Sequence, residues 1–278
     1  MLKQRVITAV VLLAVLLPAL FAPAVWPFAA LSLLAVAAAG WEWARLNQLP
    51  AGAAVATGAF VAAAGVAAWS VGWTETPPSW TWSLATAVWV IGGALALKGG
   101  VAAWPGVPRP LRWAIGCLVL WTAWLAMSHS KASGVNFLLS VFCLVWAADI
   151  AAYFGGRAFG KRKLAPTISP GKSWAGVVSG MAGVLVLAHL WIAAEQRLSV
   201  DSPSLYMQLQ GTWGWGPMLV CLVALTAMSV VGDLFESLVK RAAGAKDSSQ
   251  LLPGHGGVLD RVDALLPVLP IALALTMA

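Results

Sequence analysis

Residues 173–194 read SWAGVVSGMAGVLVLAHLWIAA, a run without a single Asp, Glu, Lys or Arg. An α-helix needs about 20 mostly apolar residues to cross the hydrocarbon core of a bilayer. In lipid, a helix also satisfies every backbone N–H and C=O group within its own segment. The stretch therefore predicts a membrane-spanning helix, and the same criterion can be applied to the rest of the chain.

The same apolar pattern recurs along the whole chain. Of its 278 residues, 60% are hydrophobic and only 10% are charged, whereas a soluble domain carries about 25% charged residues. The mean hydropathy is +0.84. We therefore interpret residues 1–278 as a single all-α, polytopic integral membrane domain. About nine segments qualify as transmembrane helices: 5–21, 25–41, 51–72, 80–97, 111–128, 134–154, 173–194, 214–234 and 262–278.

Lysine and arginine residues predict the orientation of these segments. With nine crossings and a cytoplasmic N-terminus, all but two of the 17 basic residues fall on the cytoplasmic side, and only Lys131 and Arg197 fall outside. Basic loops are typical of the cytoplasmic side of a membrane, so the C-terminus is predicted to lie outside. The net charge of +7 follows from this asymmetry and requires no nucleic-acid partner. Basic cytoplasmic loops suit anionic lipid headgroups or nucleotide phosphates.

The first apolar segment has two interpretations. Residues 1–5, followed by an apolar run, resemble the start of a signal peptide. The sequence Ala22-Pro23-Ala24 is a poor cleavage site because of its central proline, which favours a retained helix. The distribution of charge does not decide between them, because cleavage would leave the second segment with the same orientation.

The two parts of the chain differ in polarity. Residues 1–133 consist mainly of Ala, Val, Leu, Gly and Trp, and we interpret them as scaffold helices. Their few charged residues, such as Glu42, lie at or near predicted helix ends, where a long side chain reaches water at low cost. Residues 134–278 contain the polar loops, and we predict the catalytic helices and loops there. Tryptophans near helix ends are interpreted as interfacial anchors, namely Trp26, Trp41, Trp43, Trp73, Trp80 and Trp82.

Residues 232–263 read GDLFESLVKRAAGAKDSSQLLPGHGGVLDRVD and contain the densest group of charges. The eighth helix is predicted to continue past the bilayer with Asp233, either Glu236 or Ser237, and Lys240 on one face. One interpretation is the solvated end of an ordinary helix, with an ion pair between Glu236 and Lys240. It does not account for Asp233, because a carboxylate at membrane depth needs a partner or a water-filled cavity.

A glycine-rich loop and a second acidic pair follow this helix. Three glycines surround His255 in the sequence PGHGG, so the backbone can approach a ligand closely with its N–H groups exposed. Taken alone, His255 fits a surface residue equally well. The ninth helix opens with Asp260 and Asp263 on one face, and a helix N-terminus favours carboxylates in any case.

Together these residue types favour phosphoryl or nucleotidyl transfer at a membrane surface. Carboxylates from two helices match Mg²⁺, which binds a few of them together with substrate phosphates. Neighbouring basic residues would neutralise charge on phosphoryl oxygens. An ion transporter is an alternative, since intramembrane carboxylates also mark ion pathways, and a catalytically inactive scaffold is another. Transporters often show two similar halves, whereas this chain has an apolar first half and a polar second half.

The sequence Gly171-Lys172-Ser173 resembles the end of a phosphate-binding P-loop, but the motif is incomplete. The glycine required five residues earlier is replaced by Pro166, and no strand is predicted before it. What remains is a loop-to-helix start at Ser169, Lys172 and Ser173. Free N–H groups and the helix dipole attract a phosphate to such a position.

Three segments with fixed spacing resemble the signature of phosphatidate cytidylyltransferases (CDP-diacylglycerol synthases). They are residues 237–241 (SLVKR), 246–248 (KDS) and 252–263 (LPGHGGVLDRVD). Residues 149–157 (DIAAYFGGR) and 163–170 (KLAPTISP) are similar to the same family. The resemblance covers the chain from Asp149 to the C-terminus, and it is only architectural before Asp149.

This resemblance implies an enzyme of the bacterial inner membrane with its active site facing the cytoplasm. The family converts CTP and phosphatidic acid into CDP-diacylglycerol and pyrophosphate with Mg²⁺, in phospholipid biosynthesis. CTP, phosphatidic acid and membrane lipids are the implied partners, and a homodimer is left open. The implied metal ligands are Asp233 and Asp260. The implied catalytic residues are Asp233, Lys240, Asp260 and Asp263. The implied substrate-binding residues are Ser169, Lys172, Ser173, Ser237, Arg241, Lys246, Asp247, His255, Gly256, Gly257 and Arg261.

The chain departs from the family pattern at one place. After the Ser-Pro dipeptide the family usually shows Lys-Lys-Thr, followed two residues later by Glu-Gly. Here residues 171–173 are GKS and residues 175–176 are AG, so one basic residue and one carboxylate are absent.

Overall fold

A computed structural model describes residues 2–277 and contains twelve α-helices in that range. A π-helical turn, Val88–Gly92, joins the fourth helix to the fifth, and a 3-10 turn, Trp104–Gly106, follows the fifth. The helices are α1 (Leu2–Phe21), α2 (Trp26–Leu46), α3 (Ala51–Ser70), α4 (Trp80–Ala87), α5 (Gly93–Ala103), α6 (Arg109–Ser133), α7 (Val135–Phe159), α8 (Trp174–Glu195), α9 (Leu205–Trp213), α10 (Trp215–Ala242), α11 (Leu259–Val262) and α12 (Leu265–Thr276).

Within residues 2–277, eight helical segments are long and apolar enough to cross a membrane. They are α1, α2, α3, the combined α4–α5 segment (Trp80–Gly106), α6, α7, α8 and α10. The helical, multi-pass architecture predicted from the sequence is confirmed. Several helices extend past their predicted ends; among them, α2 continues to Leu46 and α10 to Ala242. The predicted continuation of the eighth helix through Asp233, Ser237 and Lys240 is therefore present as a single unbroken helix.

The predicted ninth crossing, 262–278, is not one continuous helix in the structure. Its apolar part, α12, has only 12 residues, and the single turn α11 precedes it. Pro267 lacks the N–H that would bond to the carbonyl of Asp263, so the helical hydrogen bonding is interrupted between α11 and α12. The count of about nine crossings becomes eight continuous helices followed by one interrupted segment.

Residues 259–276 run antiparallel beside α10 from one end of the bundle to the other. At one end, Lys240 Nζ of α10 lies 2.6 Å from Asp260 Oδ1. At the other end, Trp213 Nε1, just before α10 begins, donates to the Leu275 carbonyl at 3.1 Å. The interrupted segment therefore places its acidic turn against the polar end of α10.

Helices α7 and α8 pack closely through small residues. A Cβ at Gly176 would lie 3.0 Å from the Ala152 carbonyl oxygen, and one at Gly180 would lie 3.0 Å from that of Ala148. The glycine spacing in α8 therefore marks a helix–helix contact. This contact fixes the start of α8 beside the end of α7.

The connection between α7 and α8 contains a small hairpin that the all-α prediction did not include. Strand β1 (Lys163–Ala165) pairs antiparallel with β2 (Ser169–Ser173). Ser173 then caps α8, because its hydroxyl accepts a hydrogen bond from the Gly176 N–H at 3.2 Å. The prediction that no strand precedes this helix is wrong. Lys172 itself belongs to the extended strand, so the backbone does not form a P-loop.

Tryptophans build part of the core around α10. Trp43 and Trp82 are each only 2% exposed, so their predicted role as interfacial anchors is wrong, whereas Trp26 is 61% exposed. The ring centroids of Trp43 and Trp104 lie 5.9 and 5.4 Å from that of Phe235 on α10. Aromatic packing from the N-terminal half thus fixes the polar end of α10.

Candidate active site

The polar end of α10 supplies the first ion pair of the site. Asp233 Oδ1 accepts a hydrogen bond from Ser237 Oγ, one turn further along, at 3.3 Å. Asp233 Oδ2 meets the ammonium group of Lys172, from β2, at 2.5 Å. Both members of this pair remain partly open, with the Lys172 and Asp233 side chains 25% and 31% exposed. The structure therefore brings these three predicted site residues together.

Lys240 forms the second ion pair and joins α10 to α11. Its Nζ lies 2.7 Å from Glu236 Oε2 and 2.6 Å from Asp260 Oδ1. The predicted ion pair between Glu236 and Lys240 is confirmed, but the Glu236 side chain is only 2% exposed, so the interpretation of this segment as a solvated helix end is wrong. A buried carboxylate is costly without a partner. Lys240 contacts both Glu236 and Asp260 and therefore stabilises both carboxylates.

Asp260 is held by the loop that precedes it. Its Oδ2 accepts hydrogen bonds from Ser248 N at 2.9 Å, Ser248 Oγ at 2.9 Å and Gly257 N at 2.8 Å. Burial raises the pKa of Asp260, but the Lys240 ammonium and these N–H groups outweigh it and lower the pKa to about 2. The carboxylate is therefore ionised at neutral pH and fixed in orientation.

Asp263 lies in the same electrostatic environment as Asp233. Its Oδ1 accepts a hydrogen bond from Ala264 N at 2.9 Å. Burial, followed by the negative charge of Asp233, raises the pKa of Asp263. Gly232 of α10 lies directly against the Asp263 backbone, since a Cβ at Gly232 would collide with the Asp263 carbonyl oxygen. The absence of a side chain at this position permits the close approach. Two like charges placed together create a potential that favours a cation.

Glu42, on α2, is a site neighbour that the sequence interpretation missed. It was taken for a charge near a helix end that reaches water, but it is 0% exposed. Its Oε1 accepts from Ser249 Oγ at 2.6 Å and Val258 N at 2.9 Å. Its Oε2 accepts from Ser248 Oγ at 3.2 Å and Leu259 N at 2.7 Å. The signal was present, because an acid inside an apolar segment is a functional candidate by default.

A cavity of about 650 Å³ lies between the glycine-rich loop and the start of α1. Arg5, Lys246 and Arg261 line it and give it positive charge. Asp247 and His255, two further predicted site residues, line the same cavity. Arg5 was not predicted here, because it lies far away in the sequence in a segment interpreted as scaffold.

The glycine-rich loop has the backbone conformation that its sequence predicted. Gly254 and Gly256 have φ angles of +77° and +84°, which residues with a side chain rarely adopt. A Cβ at Gly254 would lie 2.9 Å from Arg5 Cγ, and Thr8 Oγ1 donates to the Pro253 carbonyl at 2.9 Å. Helix α1 therefore packs directly on this loop.

A second cavity, of about 600 Å³, lies among α7, α8, α10 and the hairpin. Lys172 and Asp233 line it together with Asp149, a carboxylate of α7. Val177 and Val230 contribute apolar walls. Asp149 was noted in the sequence only as part of the family resemblance and not as a site residue, although it is another acid in an apolar helix.

Two of the predicted substrate-binding residues, Ser173 and Arg241, make contacts that stabilise local structure. Ser173 caps α8, as described above. Arg241 Nε donates to the Ile168 carbonyl at 3.4 Å, and its Nη1 donates to the Ala245 carbonyl at 3.2 Å. Arg241 thus joins the end of α10 to the hairpin. The substrate contacts expected of Ser169, Ser173 and Arg241 stay predictions.

Three carboxylates of the site could contribute to a metal site that a substrate completes. In the part of the chain from residue 2 to 277, no three His, Cys, Asp or Glu side chains form a preassembled metal site. Mg²⁺ commonly uses only one or two carboxylates and takes its other ligands from phosphates and water. Asp233 and Asp260 each contact a different lysine, whereas Asp263 lies in the electrostatic environment of Asp233. These three acids are the available hard oxygen ligands.

Comparison with known proteins assigns the class. Residues 3–278 match the cytidylyltransferase family, and the chain belongs to that family. It is therefore a nucleotidyltransferase. A phosphatidate cytidylyltransferase of Haemophilus influenzae is 40% identical over 298 residues, covering 97% of this chain and 96% of the relative. One of Pseudomonas aeruginosa is 41% identical over 293 residues, covering 100% and 98%. One of Brucella suis is 38% identical over 203 residues, covering 67% and 68%.

Proposed function

We propose that this chain transfers the cytidylyl group of CTP to phosphatidic acid, giving CDP-diacylglycerol and pyrophosphate. Its family and the names of its relatives support this class of reaction. The observation that carries the proposal is the pair of cavities beside one charged cluster. The glycine-rich loop, which donates a hydrogen bond to Asp260, lines the first cavity, and Asp233 lines the second.

The first cavity suits the nucleotide. Its volume of about 650 Å³ falls within the roughly 300–1,000 Å³ typical of small-molecule sites. Arg5, Lys246 and Arg261 supply positive charge for a triphosphate, and charge-assisted hydrogen bonds to phosphate are among the strongest available. The glycine-rich loop adds a backbone without side chains, which a phosphate can approach closely.

The second cavity suits the headgroup of phosphatidic acid. It lies among helices that are apolar enough to span a membrane, and Lys172 gives it a cation for the phosphate. The neighbouring surfaces of α7 and α8 expose large apolar side chains, including Phe154 at 65% and Val178 at 63%. A lipid could therefore place its phosphate in the cavity while its acyl chains stay in the bilayer.

The chemistry requires positioning and charge neutralisation rather than a general base. A non-bridging oxygen of the phosphatidate phosphate attacks the α-phosphorus of CTP, and the bond from that phosphorus to the oxygen bridging to the β-phosphate breaks. Pyrophosphate leaves with the electron pair of that bond. No proton must be removed from the nucleophile, because a phosphate monoester with a second pKa of about 6 is mostly ionised at neutral pH. Lys172 would orient the nucleophile, and Lys246 and Arg261 would neutralise the leaving group.

Magnesium is the proposed cofactor, with Asp233 and Asp260 as its ligands and Asp263 as a supporting carboxylate. When bound, the ion would neutralise charge on the phosphoryl oxygens of CTP. The proposal is supported by Asp233 on α10, whose charge acts on Asp263, and by Asp260 on α11, which is bound to Lys240 of α10. Lys172 and Lys240 already balance part of their charge, which limits the cost of keeping these acids ionised in a partly buried site.

The proposed location is the bacterial inner membrane with the site facing the cytoplasm. The first cavity lies at the end of the bundle that carries the basic loops, and basic loops favour the cytoplasmic side. CTP and pyrophosphate would then enter and leave from the cytoplasm.

The test is pyrophosphate release by the purified full chain in detergent with CTP, phosphatidic acid and Mg²⁺. We expect release that requires all three components. Diacylglycerol, which lacks the phosphate nucleophile, is the matched control and should give none. If no magnesium-dependent release occurs, the enzymatic proposal fails.

A further inference from the structure

We propose that Glu42 is a positioning residue, which holds the segment from Ser248 to Leu259 so that Asp260 and the nucleotide cavity keep their geometry. The inference rests on the proposed function, because that reaction is its readout. Glu42 lies on α2, in the part of the chain interpreted as scaffold, and is 206 residues away from Ser248 in sequence. It touches neither of the two cavities proposed for the substrates, so it would act through the loop.

The four donors to Glu42 come from both ends of one loop. Ser248 and Ser249 precede the glycine-rich turn, whereas Val258 and Leu259 follow it, so one carboxylate holds the two ends together. Hydrogen bonds to an ionised acceptor are about twice as strong as neutral ones. A fully buried carboxylate requires such donors. If the loop moved away from Glu42, the Glu42 carboxylate would remain buried without hydrogen-bond donors, which is costly.

The same loop residues are shared with Asp260. Ser248 Oγ lies 3.2 Å from Glu42 Oε2 and 2.9 Å from Asp260 Oδ2, so its single proton lies between two carboxylates. A Cβ at Gly257 would collide with Glu42 Oε1 and Ser248 Oγ, while the Gly257 N–H donates to Asp260 at 2.8 Å. A displacement of the loop at Glu42 would therefore move the donors that orient Asp260.

Helix α2 provides a rigid base for this contact. Trp43, the next residue, is 2% exposed, and its indole Nε1 donates to the Arg112 carbonyl at 2.9 Å. Its ring stacks on Phe235 of α10 with a centroid distance of 5.9 Å. Neighbouring residues of α2 thus contact both α10 and the loop, and Glu42 joins the N-terminal helices to the candidate site.

The experiment compares Glu42→Gln with wild type by pyrophosphate release, varying CTP and phosphatidic acid separately. Glutamine has nearly the same size as glutamate, but it places an NH₂ group where the loop already presents hydrogen-bond donors. We expect kcat/KM for CTP to fall about 10–100-fold, the range typical of residues that orient ligands. KM for phosphatidic acid should change by less than about 3-fold, since that cavity lies elsewhere. Glu42→Asp, which keeps the charge, should recover part of the loss.

Asp201→Asn is the matched control, because Asp201 also accepts backbone N–H groups but lies at the other end of the bundle. It should alter stability without this selective effect on CTP. An equal rise in KM for both substrates, the same loss in the control, or normal kcat/KM for Glu42→Gln would overturn the proposal. An inactive wild-type protein would instead reject the proposed function.

A second variant covers the case in which Glu42→Gln does not fold. Ser249→Ala removes one donor without leaving a buried charge unpaired. In a double-mutant cycle with Glu42→Asp, we expect the effect of Ser249→Ala on kcat/KM for CTP to shrink, because the two residues act through one contact. Fully additive effects would contradict the positioning role.

Discussion

Asp201 and Asp260 lie at opposite ends of the bundle, and both accept hydrogen bonds from backbone N–H groups. Asp201 binds Val135 N at 2.5 Å and Asn136 N at 2.9 Å at the start of α7. Asp260 binds the loop in a similar way but also contacts Lys240, which is shared with buried Glu236. The backbone contacts alone stabilise a helix start. The surplus of acids around shared ammonium groups is what indicates a site for chemistry.

The largest expected effect in this comparison comes from Asp260→Asn. The amide would direct a donor at existing N–H donors and leave Lys240 without one of its two carboxylates. We expect turnover to fall about 10³-fold, the upper range for losing one electrostatic contact in an active site. Pyrophosphate release measures it, with insertion checked by gel filtration in detergent. A loss below about 10-fold would mean that Asp260 acts as Asp201 does, in structure only.

Lys172→Met should sharpen the comparison by separating the two cavities. It removes the cation of the second cavity and leaves the Asp233 carboxylate without its ion pair. We expect kcat/KM for phosphatidic acid to fall about 10²-fold, while KM for CTP changes little. Steady-state kinetics with each substrate varied in turn measures both values. If KM for CTP rises instead, Lys172 serves the nucleotide and the assignment of the cavities is wrong.

Arg5→Ala tests whether α1 belongs to the site. Arg5 lines the nucleotide cavity and packs on Gly254, so we expect KM for CTP to rise about 10-fold, as for the loss of one charged hydrogen bond. Arg197→Ala, in the loop after α8, is the matched control and should leave the kinetics unchanged. Equal KM values in the two variants would exclude Arg5 from nucleotide binding.

Asp201→Asn should have the smallest effect on activity and a measurable effect on stability. Burial raises the pKa of Asp201, but the N–H groups of Asn136 and Val135 outweigh it and lower the pKa. Such a carboxylate stabilises the fold above its unfolded pKa of about 4, and that stability is lost as pH falls through the lower folded value. Thermal unfolding should show Tm lowered by about 2–4 °C at pH 7 and a smaller difference near pH 3. A difference that grows at low pH would contradict this account.

The sequence predicted the helices well because each spanning segment needs its own apolar run, a property that is local. The shared face of Asp233 and Ser237 followed from helical spacing for the same reason. The break before α12 was also readable in principle, since Pro267 removes one backbone donor, but the apolar composition concealed it.

The remainder of the site depended on contacts between segments that are far apart in the chain. Neither Glu42 with its loop nor Arg5 beside Gly254 follows from local spacing, because tertiary packing of α1 and α2 creates both contacts. Asp149 shows the same limit, since its position beside Lys172 depends on how α7 packs against α8 and the hairpin. Composition identified the charged residues, but only the fold determined their neighbours.

The most direct test of the central claim is magnesium-dependent pyrophosphate release by wild type and Asp233→Asn, measured side by side with CTP and phosphatidic acid. Asp233 lines the lipid cavity, pairs with Lys172 and lies beside Asp263, so the cluster cannot work without its charge. The account predicts turnover by wild type and a loss of at least about 10³-fold in the variant, with both proteins equally folded in detergent. A variant that retains the wild-type rate would contradict it.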